Sequence, residues 1–401
     1  PEQFGILALY LVMFQYVMTF ASLNLYSGGV RVYFDYRKSR RDEYLSTIFW
    51  LICIISTIVF LSGMIFMDFI SNWIEPNSQD IYFITLISGI LGSFVGFFFF
   101  FLFNENKSSL VLNHTILQTL VNHSSSIVFI SIFNLGILGR IYGLGFGHLS
   151  NLIILLKQLI KNGLFKLKVT FNTKMAQETF LLCLPGLITA TLALMFLYVD
   201  RIFLKHFMGD TAVGIYTLGF ILGQGFSASY GAVSQSILPK VFNDMKIDYD
   251  KARGELEEFS YKYYFVLVVF TVVISILSPL IVNILSNETY SESASVIPFI
   301  MAGFMIGGFY KIPILVLSFH KKVWIYPFIA LFTFIVNVIL NYLLIPIYGL
   351  VGAAFASFIG IFLYSMFLQL SSNRYMSSKY NYSVYLLYFF IILTNFLIFY
   401  L

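Results

Sequence analysis

Charge is what this chain lacks most. Only 11% of its 401 residues are Asp, Glu, Lys or Arg, where a soluble domain carries roughly a quarter. A surface facing water on all sides needs polar groups that this chain cannot supply. Cysteine is nearly absent too. Cys53 and Cys183 both fall inside or beside apolar runs; they read as small buried hydrophobes, which excludes a disulfide framework. No Gly-rich phosphate loop with Lys and Ser/Thr is present, which argues against direct ATP hydrolysis. His114, His123 and His148 are scattered on different helices without metal-ligand spacing, and His320, beside Lys321 and Lys322, reads as solvated. Neither a metal nor an organic cofactor is expected, and nothing marks a nucleic-acid partner.

What is there instead is apolar length. Hydrophobic residues make up 59% of the chain, in runs rather than stripes. A run of roughly 20 residues at 1.5 Å rise spans the hydrocarbon core. Lipid satisfies no backbone N–H or C=O, so each run must be helical or part of a closed barrel. Barrel strands would be about ten residues long and would alternate polar with apolar, and these runs do neither. Twelve runs stand out, at 4–26, 46–70, 81–103, 109–133, 139–156, 178–200, 213–238, 261–285, 296–318, 323–345, 349–370 and 382–401.

The basic residues give the orientation. Alternate gaps between runs hold Arg31 to Arg41, Lys107, Lys157 to Lys174, Lys240 to Lys262, Lys321 and Lys322, and Arg374 and Lys379, which is 20 of the 24 Lys and Arg. The other gaps hold only Arg140, Arg201 and Lys205, and Lys311 lies within a run. The excess of basic residues marks the cytoplasmic side. Pro1 is therefore expected outside, and the last run to end outside.

A shift of 209 positions lays the chain on itself. Phe4-Gly5-Ile6 falls on Val213-Gly214-Ile215, Gln15 on Gln224, Arg31 on Lys240, and Gly143 on Gly352. Both copies start from the same side, so the repeats are parallel, related by an axis along the membrane normal. The run at 178–200 has no partner, so a first helix is expected upstream of Pro1, and the chain reads as a fragment. The fold class expected is an all-α integral membrane protein with two parallel-repeat six-helix lobes, the first helix of the N-lobe absent, and an extra C-terminal helix. The expected divisions are an N-lobe at 1–156, a basic cytoplasmic linker at 157–177, a C-lobe at 178–370 and an additional transmembrane helix at 382–401. Two such lobes suit alternating access around a central cavity.

Three stretches carry a resemblance. Pro1-Glu2-Gln3-Phe4-Gly5-Ile6 is one. Asp200-Arg201-Ile202-Phe203 with Val213-Gly214-Ile215-Tyr216 is another. The third is Asn341-Tyr342-Leu343-Leu344-Ile345-Pro346-Ile347-Tyr348-Gly349 with Gly352-Ala353-Ala354. They resemble, in turn, the start of the second helix, the seventh and eighth helices, and the turn between the eleventh and twelfth in Wzx-type flippases of lipid-linked oligosaccharides. These belong to the superfamily of multidrug, oligosaccharidyl-lipid and polysaccharide exporters. The resemblance implies movement of an undecaprenyl-pyrophosphate-linked oligosaccharide from the cytoplasmic to the outer leaflet, for O-antigen, capsule or similar surface polysaccharide. It also implies a multi-pass protein of the bacterial inner membrane, in contact with membrane lipid and partnered by polysaccharide polymerase and chain-length proteins. The absent first helix leaves any site on it unreadable.

Charges within helices are costly and commonly face a cavity or a partner. Arg31 and Lys240 sit at equivalent inner ends of equivalent helices and would offer a pyrophosphate two cations; equally, both could snorkel and fix topology. Gln15 and Gln224 could bond sugar hydroxyls or glue helices. Asp200 and Arg201, expected at the outer end of a helix with Lys205 a turn further, and Arg140, near the outer start of another, suit an outer gate or plain helix-end pairing. Lys311 lies two residues before Pro313, where a kink is expected, and suits a cavity-facing role or snorkelling. Gly143, Gly145 and Gly147, and Gly349 with Gly352, allow close helix approach.

Two other classes are open. A multidrug or metabolite exporter of the same fold needs an acidic cation site deep in a helix, and Asp35, Asp68, Glu178 and Asp200 are all expected near helix ends. A membrane polymerase or glycosyltransferase needs a sizeable outer loop or an acidic catalytic pair, and the outer loops are short.

Overall fold

The structure is a computed structural model that describes residues 1–25, 29, 32–33, 36–37, 40–105, 107–162, 168–320, 322 and 324–375, with the backbone alone at 185, 232, 234–240, 242, 243 and 246. The described residues contain no strand. In chain order the helices are α1 (Glu2–Ala21), α2 (Arg41–Ile65), α3 (Met67–Ile74), α4 (Gln79–Asn104), α5 (Ser108–Ser131), α6 (Gly136–Lys161), α7 (Thr173–Met208), α8 (Asp210–Ile247), α9 (Tyr249–Ile276), α10 (Ser278–Leu285), α11 (Ser293–Phe309), α12 (Lys311–Phe319) and α13 (Ile325–Ser372). Eleven of the twelve expected runs fall on these helices; the run at 382–401 lies outside the described residues. Among the described residues, eight stretches of helix are each long and apolar enough to cross a membrane, as a multi-pass membrane protein requires.

The repeat extends to elements too short to read in the sequence. A shift of 209 carries α2 onto α9 and the eight-residue α3 onto the eight-residue α10, within two residues. α13 is two helices joined at Gly349, whose backbone (φ 56°, ψ −133°) only glycine adopts cheaply. This is the turn expected between the eleventh and twelfth helices.

The chain falls into two compact units, Ile6–Leu194, and Pro1–Gly5 with Met195 onward; the boundary lies inside α7. The core of the first gathers Tyr33, Tyr44, Ile48 and Ile52 against Phe97, Phe98, Phe100 and Phe101 of α4. The stretch before α7 is docked on the start of α2. Lys168 N–H donates to Ser46 Oγ (3.0 Å), Asn172 N–H to Thr47 Oγ1 (3.2 Å), and Trp50 Nε1 to the Lys168 carbonyl (3.1 Å). Asn172 also caps α7, its Oδ1 accepting from Lys174 N–H at 3.1 Å.

In the second unit α11 is the most enclosed helix, apolar almost throughout. Two prolines break its backbone ladder, and hydroxyls from neighbouring helices repair it. Pro298 cannot donate to the Ala294 carbonyl, and Ser278 Oγ does so instead at 3.2 Å. Pro313 cannot donate to the Phe309 carbonyl, which takes the Tyr264 hydroxyl at 3.1 Å, and the helix breaks at Tyr310. This is the kink expected beside Lys311. Neighbour-supplied donors are what make proline tolerable inside a membrane.

The same unit holds a reciprocal helix crossing. A Cβ on Gly5 would overlap the Asp210 carbonyl, and a Cβ on Gly214 would overlap the Pro1 carbonyl. Gly5 and Gly214, and Pro1 and Asp210, are each related by the 209 shift, so residues equivalent in the repeat pack on one another.

Two outcomes follow from this packing. Tyr264→Phe should lower stability by about 1–2 kcal/mol through loss of the donor to Phe309. The loss should shrink in a Pro313→Ala background, where residue 313 regains its own N–H; thermal unfolding of the detergent-purified single and double variants reads the cycle. Gly214→Val should cost at least about 1–3 kcal/mol, because backbone rather than a side chain blocks the added methyls; the same assay measures it.

Candidate functional site

The main polar cluster of the second unit is built on α7. Asp200 is 0% and Arg201 2% exposed. Asp200 Oδ1 accepts from Arg201 N–H at 2.9 Å and from Arg201 Nη1 at 3.3 Å. Its Oδ2 accepts from Tyr216 Oη at 2.5 Å and Ser357 Oγ at 3.4 Å. Burying a charge is tolerable only with such partners. The Arg201 guanidinium also donates to the Leu197 carbonyl and lies over the rings of Phe220 (4.1 Å), Tyr198 (5.0 Å) and Tyr216 (5.6 Å).

α13 feeds this carboxylate through a line of donors. Asn341 Nδ2 donates to Asn337 Oδ1 at 3.1 Å, Asn337 Nδ2 to Ser357 Oγ at 3.4 Å, and Ser357 to Asp200. The turn at Gly349 makes this possible by folding the second half of α13 back, and Gly360 lets it lie close to Asn337. Asn341 Oδ1 ends the line, buried and without a partner among the described residues.

The expected site residues are sorted as follows. Asp200 and Arg201 are not at a helix end. α7 runs on to Met208, because Lys205 pairs with Asp210 (2.5 Å) across the turn at Gly209, and that turn, with φ 84°, ends the helix instead. The expectation that no acidic residue lies deep in a helix is corrected with it. Gln224 Nε2 reaches Tyr198 Oη at 3.5 Å, joining the edge of the cluster. Lys311 opens α12 with its ammonium 5.2 Å from the Tyr310 ring. Arg140 and Gln15 belong to the other unit: Gln15 is half-buried on α1, while Arg140 Nη1 donates to Asn122 Oδ1 (2.6 Å) and Ser126 Oγ (3.0 Å). Arg31 lies outside the described residues, and Lys240 is described only as backbone in α8.

Outside the spans, burial and then Lys322 hold the His320 imidazole below its ordinary value, so the ring stacked on Tyr375 is neutral at pH 7. The three histidines expected on different helices are not all apart. His114 and His123 share α5, and His114 joins His148 of α6 in one network through Asn151 and Gln118. No group of three or more metal-ligating side chains occurs among the described residues. Sequence reading missed Tyr216, Asn337, Asn341 and Ser357; Tyr216 and Asn341 stand in the motifs already singled out. Arg201→Leu should cost roughly 3–5 kcal/mol by stranding a buried carboxylate, and much less in an Asp200→Asn background; thermal unfolding of the two variants and their combination tests this.

The polysaccharide biosynthesis protein family matches residues 1–243. A comparison with curated proteins finds no match. Among solved structures, the lipid II flippase MurJ in an inward closed conformation aligns with TM-score 0.76 and 16% identity, over 92% of this chain and 80% of its own. An inward-facing multidrug resistance MATE family transporter of the MOP superfamily aligns with TM-score 0.74 and 13% identity, over 94% and 91%. At these identities the likeness is one of fold, and the family rests on the match that covers more than half of the chain. The chain belongs to the polysaccharide biosynthesis protein family.

Proposed function

We propose that this chain flips an undecaprenyl-pyrophosphate-linked oligosaccharide from the cytoplasmic to the outer leaflet of a bacterial inner membrane, during synthesis of O-antigen, capsule or a similar surface polysaccharide. The observation that carries this reading is membership of a polysaccharide biosynthesis family by a chain whose fold is shared with a lipid II flippase. A sugar and pyrophosphate headgroup cannot cross hydrocarbon unaided. The protein's task is to shelter it while the polyprenyl tail stays in lipid, and no covalent step is needed. Arg31 and Lys240 are the proposed pyrophosphate ligands at the cytoplasmic side. Lys311 and Arg140 are the proposed further cations along the path, because neither has a carboxylate partner among the described residues. Gln15 and Gln224 are proposed for sugar hydroxyls. Asp200, Arg201 and Lys205 are proposed to hold the outer part of the path in shape. Polymerase and chain-length proteins are the proposed consumers of the product.

The second reading, an exporter of the same fold, is favoured by the buried Asp200. The ion pair with Arg201 weakens it, since that carboxylate is already neutralised.

Deleting the gene should trap lipid-linked sugar on the inner leaflet and abolish surface polysaccharide. Arg31→Gln or Lys240→Gln, at matched expression, should cut restoration of the polymer at least tenfold. Normal polymer in the deletion strain, with no second flippase present, overturns the reading. A changed drug susceptibility with intact polymer would favour the exporter.

A further inference from the structure

α5 and α6 are antiparallel and touch backbone to backbone. A Cβ on Gly139 would lie 3.0 Å from Ile130 N, one on Gly143 would overlap Ser126, and one on Gly147 would lie 2.7 Å from Asn122 Cβ. The stripe advances four residues at a time, and its next position is Asn151, facing Gln118. There the small residues end and an unbroken polar line begins. His114 Nε2 lies 2.7 Å from Gln158 Oε1, and His114 Nδ1 lies 2.8 Å from Asn151 Oδ1. Asn151 Nδ2 donates to Gln118 Oε1 at 2.7 Å, and Gln118 Nε2 lies 3.0 Å from His148 Nδ1 and 3.4 Å from its Nε2. Asn151 is fully buried and both rings are nearly so.

Two imidazoles are thus joined by two primary amides in series. An amide offers oxygen on one side and N–H on the other, so the pair must run head to tail. One histidine then faces an oxygen and must donate; the other faces an N–H and must accept. Here His114 Nδ1 faces the Asn151 oxygen and so donates, its Nε2 meets the Gln158 amide, which can turn either its oxygen or its NH2 to the ring, and His148 faces the Gln118 N–H and so accepts. Turning both amides over exchanges the roles. Were both rings to donate inward, both amide oxygens would turn outward, and the two NH2 groups would meet in the middle with the central bond lost. Among the described residues neither ring has a carboxylate partner. His148 faces Phe14 of α1 and Gly92 of α4; the charged residues of α6 are Arg140, eight positions before His148 and held by Asn122 and Ser126, and Lys157 and Lys161, which flank Gln158 at the His114 end.

We propose that His114 and His148 form one proton-binding site with two seats, holding a single proton at either end of an amide line, and that transport by this chain is linked to that proton. The proton arrives on a ring-nitrogen lone pair from water and leaves as N–H to water; Asn151 and Gln118 only reverse their direction. The seats are about 10 Å apart along the helix pair at 1.5 Å per residue, a sizeable step across a core of about 30 Å. The link to transport rests on the function proposed above; the two-seat site does not.

The test uses the full chain in lipid nanodiscs with ¹⁵N-labelled histidine, the five rings assigned through His→Gln variants. Between about pH 5 and 8, where histidine titrates, the expected result is that only one of the two rings carries both protons at any pH. In Gln118→Met, which keeps the length and removes the amide, both rings should become doubly protonated together. Both rings doubly protonated in the unaltered chain overturns the shared site, whether or not the variant folds. Gln118→Met titrating as the unaltered chain does also overturns it. In liposomes carrying a lipid-linked oligosaccharide, His148→Gln should flatten the pH dependence of flipping at least fivefold. Flipping that is already independent of pH in the unaltered chain overturns the link to transport. Single-proton behaviour without any flipping sinks the proposed function and leaves the site standing.

Discussion

Hydrocarbon offers no hydrogen bond, so every polar atom this chain buries must be answered from within it. The rest of the structure follows from how those answers are supplied. Pro298 and Pro313 would each leave a carbonyl unpaired on the most enclosed helix, and Ser278 and Tyr264 supply the missing donors. Asp200 would be untenable as a lone charge, and four donors converge on it from α7, α8 and α13. The amides of α5 and α6 answer one another and end on two imidazoles. In each case one helix is fixed against another by a directional bond, whereas apolar packing alone would let it slide against its neighbour much as it does against lipid tails.

Much of the fold was legible because lipid imposes length on helices and the positive-inside bias imposes parity. The kink at Tyr310 was legible from Pro313, the turn at Gly349 from its motif, and the close contact of α6 from Gly143 and Gly147. The depth of Asp200 was not. Apolar length alone marks where a run ends, and Asp200, Arg201 and Lys205 looked like an exit from the membrane, although the Lys205–Asp210 pair lets α7 continue past them. The histidine pair was hidden for a different reason. His114 and His148 meet only through the register of two antiparallel helices, and that register is set by glycines that carry no label of their partner. The proline repairs were hidden likewise, since a Tyr and a Ser on other helices give no sign of which carbonyl they serve.

The repeat gains physical content at Gly5 and Gly214. Chance similarity between apolar segments would not place equivalent glycines in contact, each blocked by the carbonyl four residues before the other. A crossing of this kind needs both residues small at once. A larger side chain on either partner disturbs both copies, so the contact constrains the two halves of the repeat together.

Charge compensation reorders the candidate cations. By sequence, Arg201 and Lys205 ranked beside Arg140 and Lys311, all four being basic groups outside the cytoplasmic set. In the structure Arg201 is committed to Asp200 and three ring faces, and Lys205 to Asp210. Such pairs are electrically closed, and drawing Arg201 toward a phosphate would strand the buried Asp200 carboxylate at a cost of several kcal/mol. Arg140 is held by an amide and a hydroxyl, and Lys311 rests near an aromatic face at a helix break. Those neutral partners position a positive charge without cancelling it, which is the condition a cation must meet to attract an anionic headgroup inside a membrane.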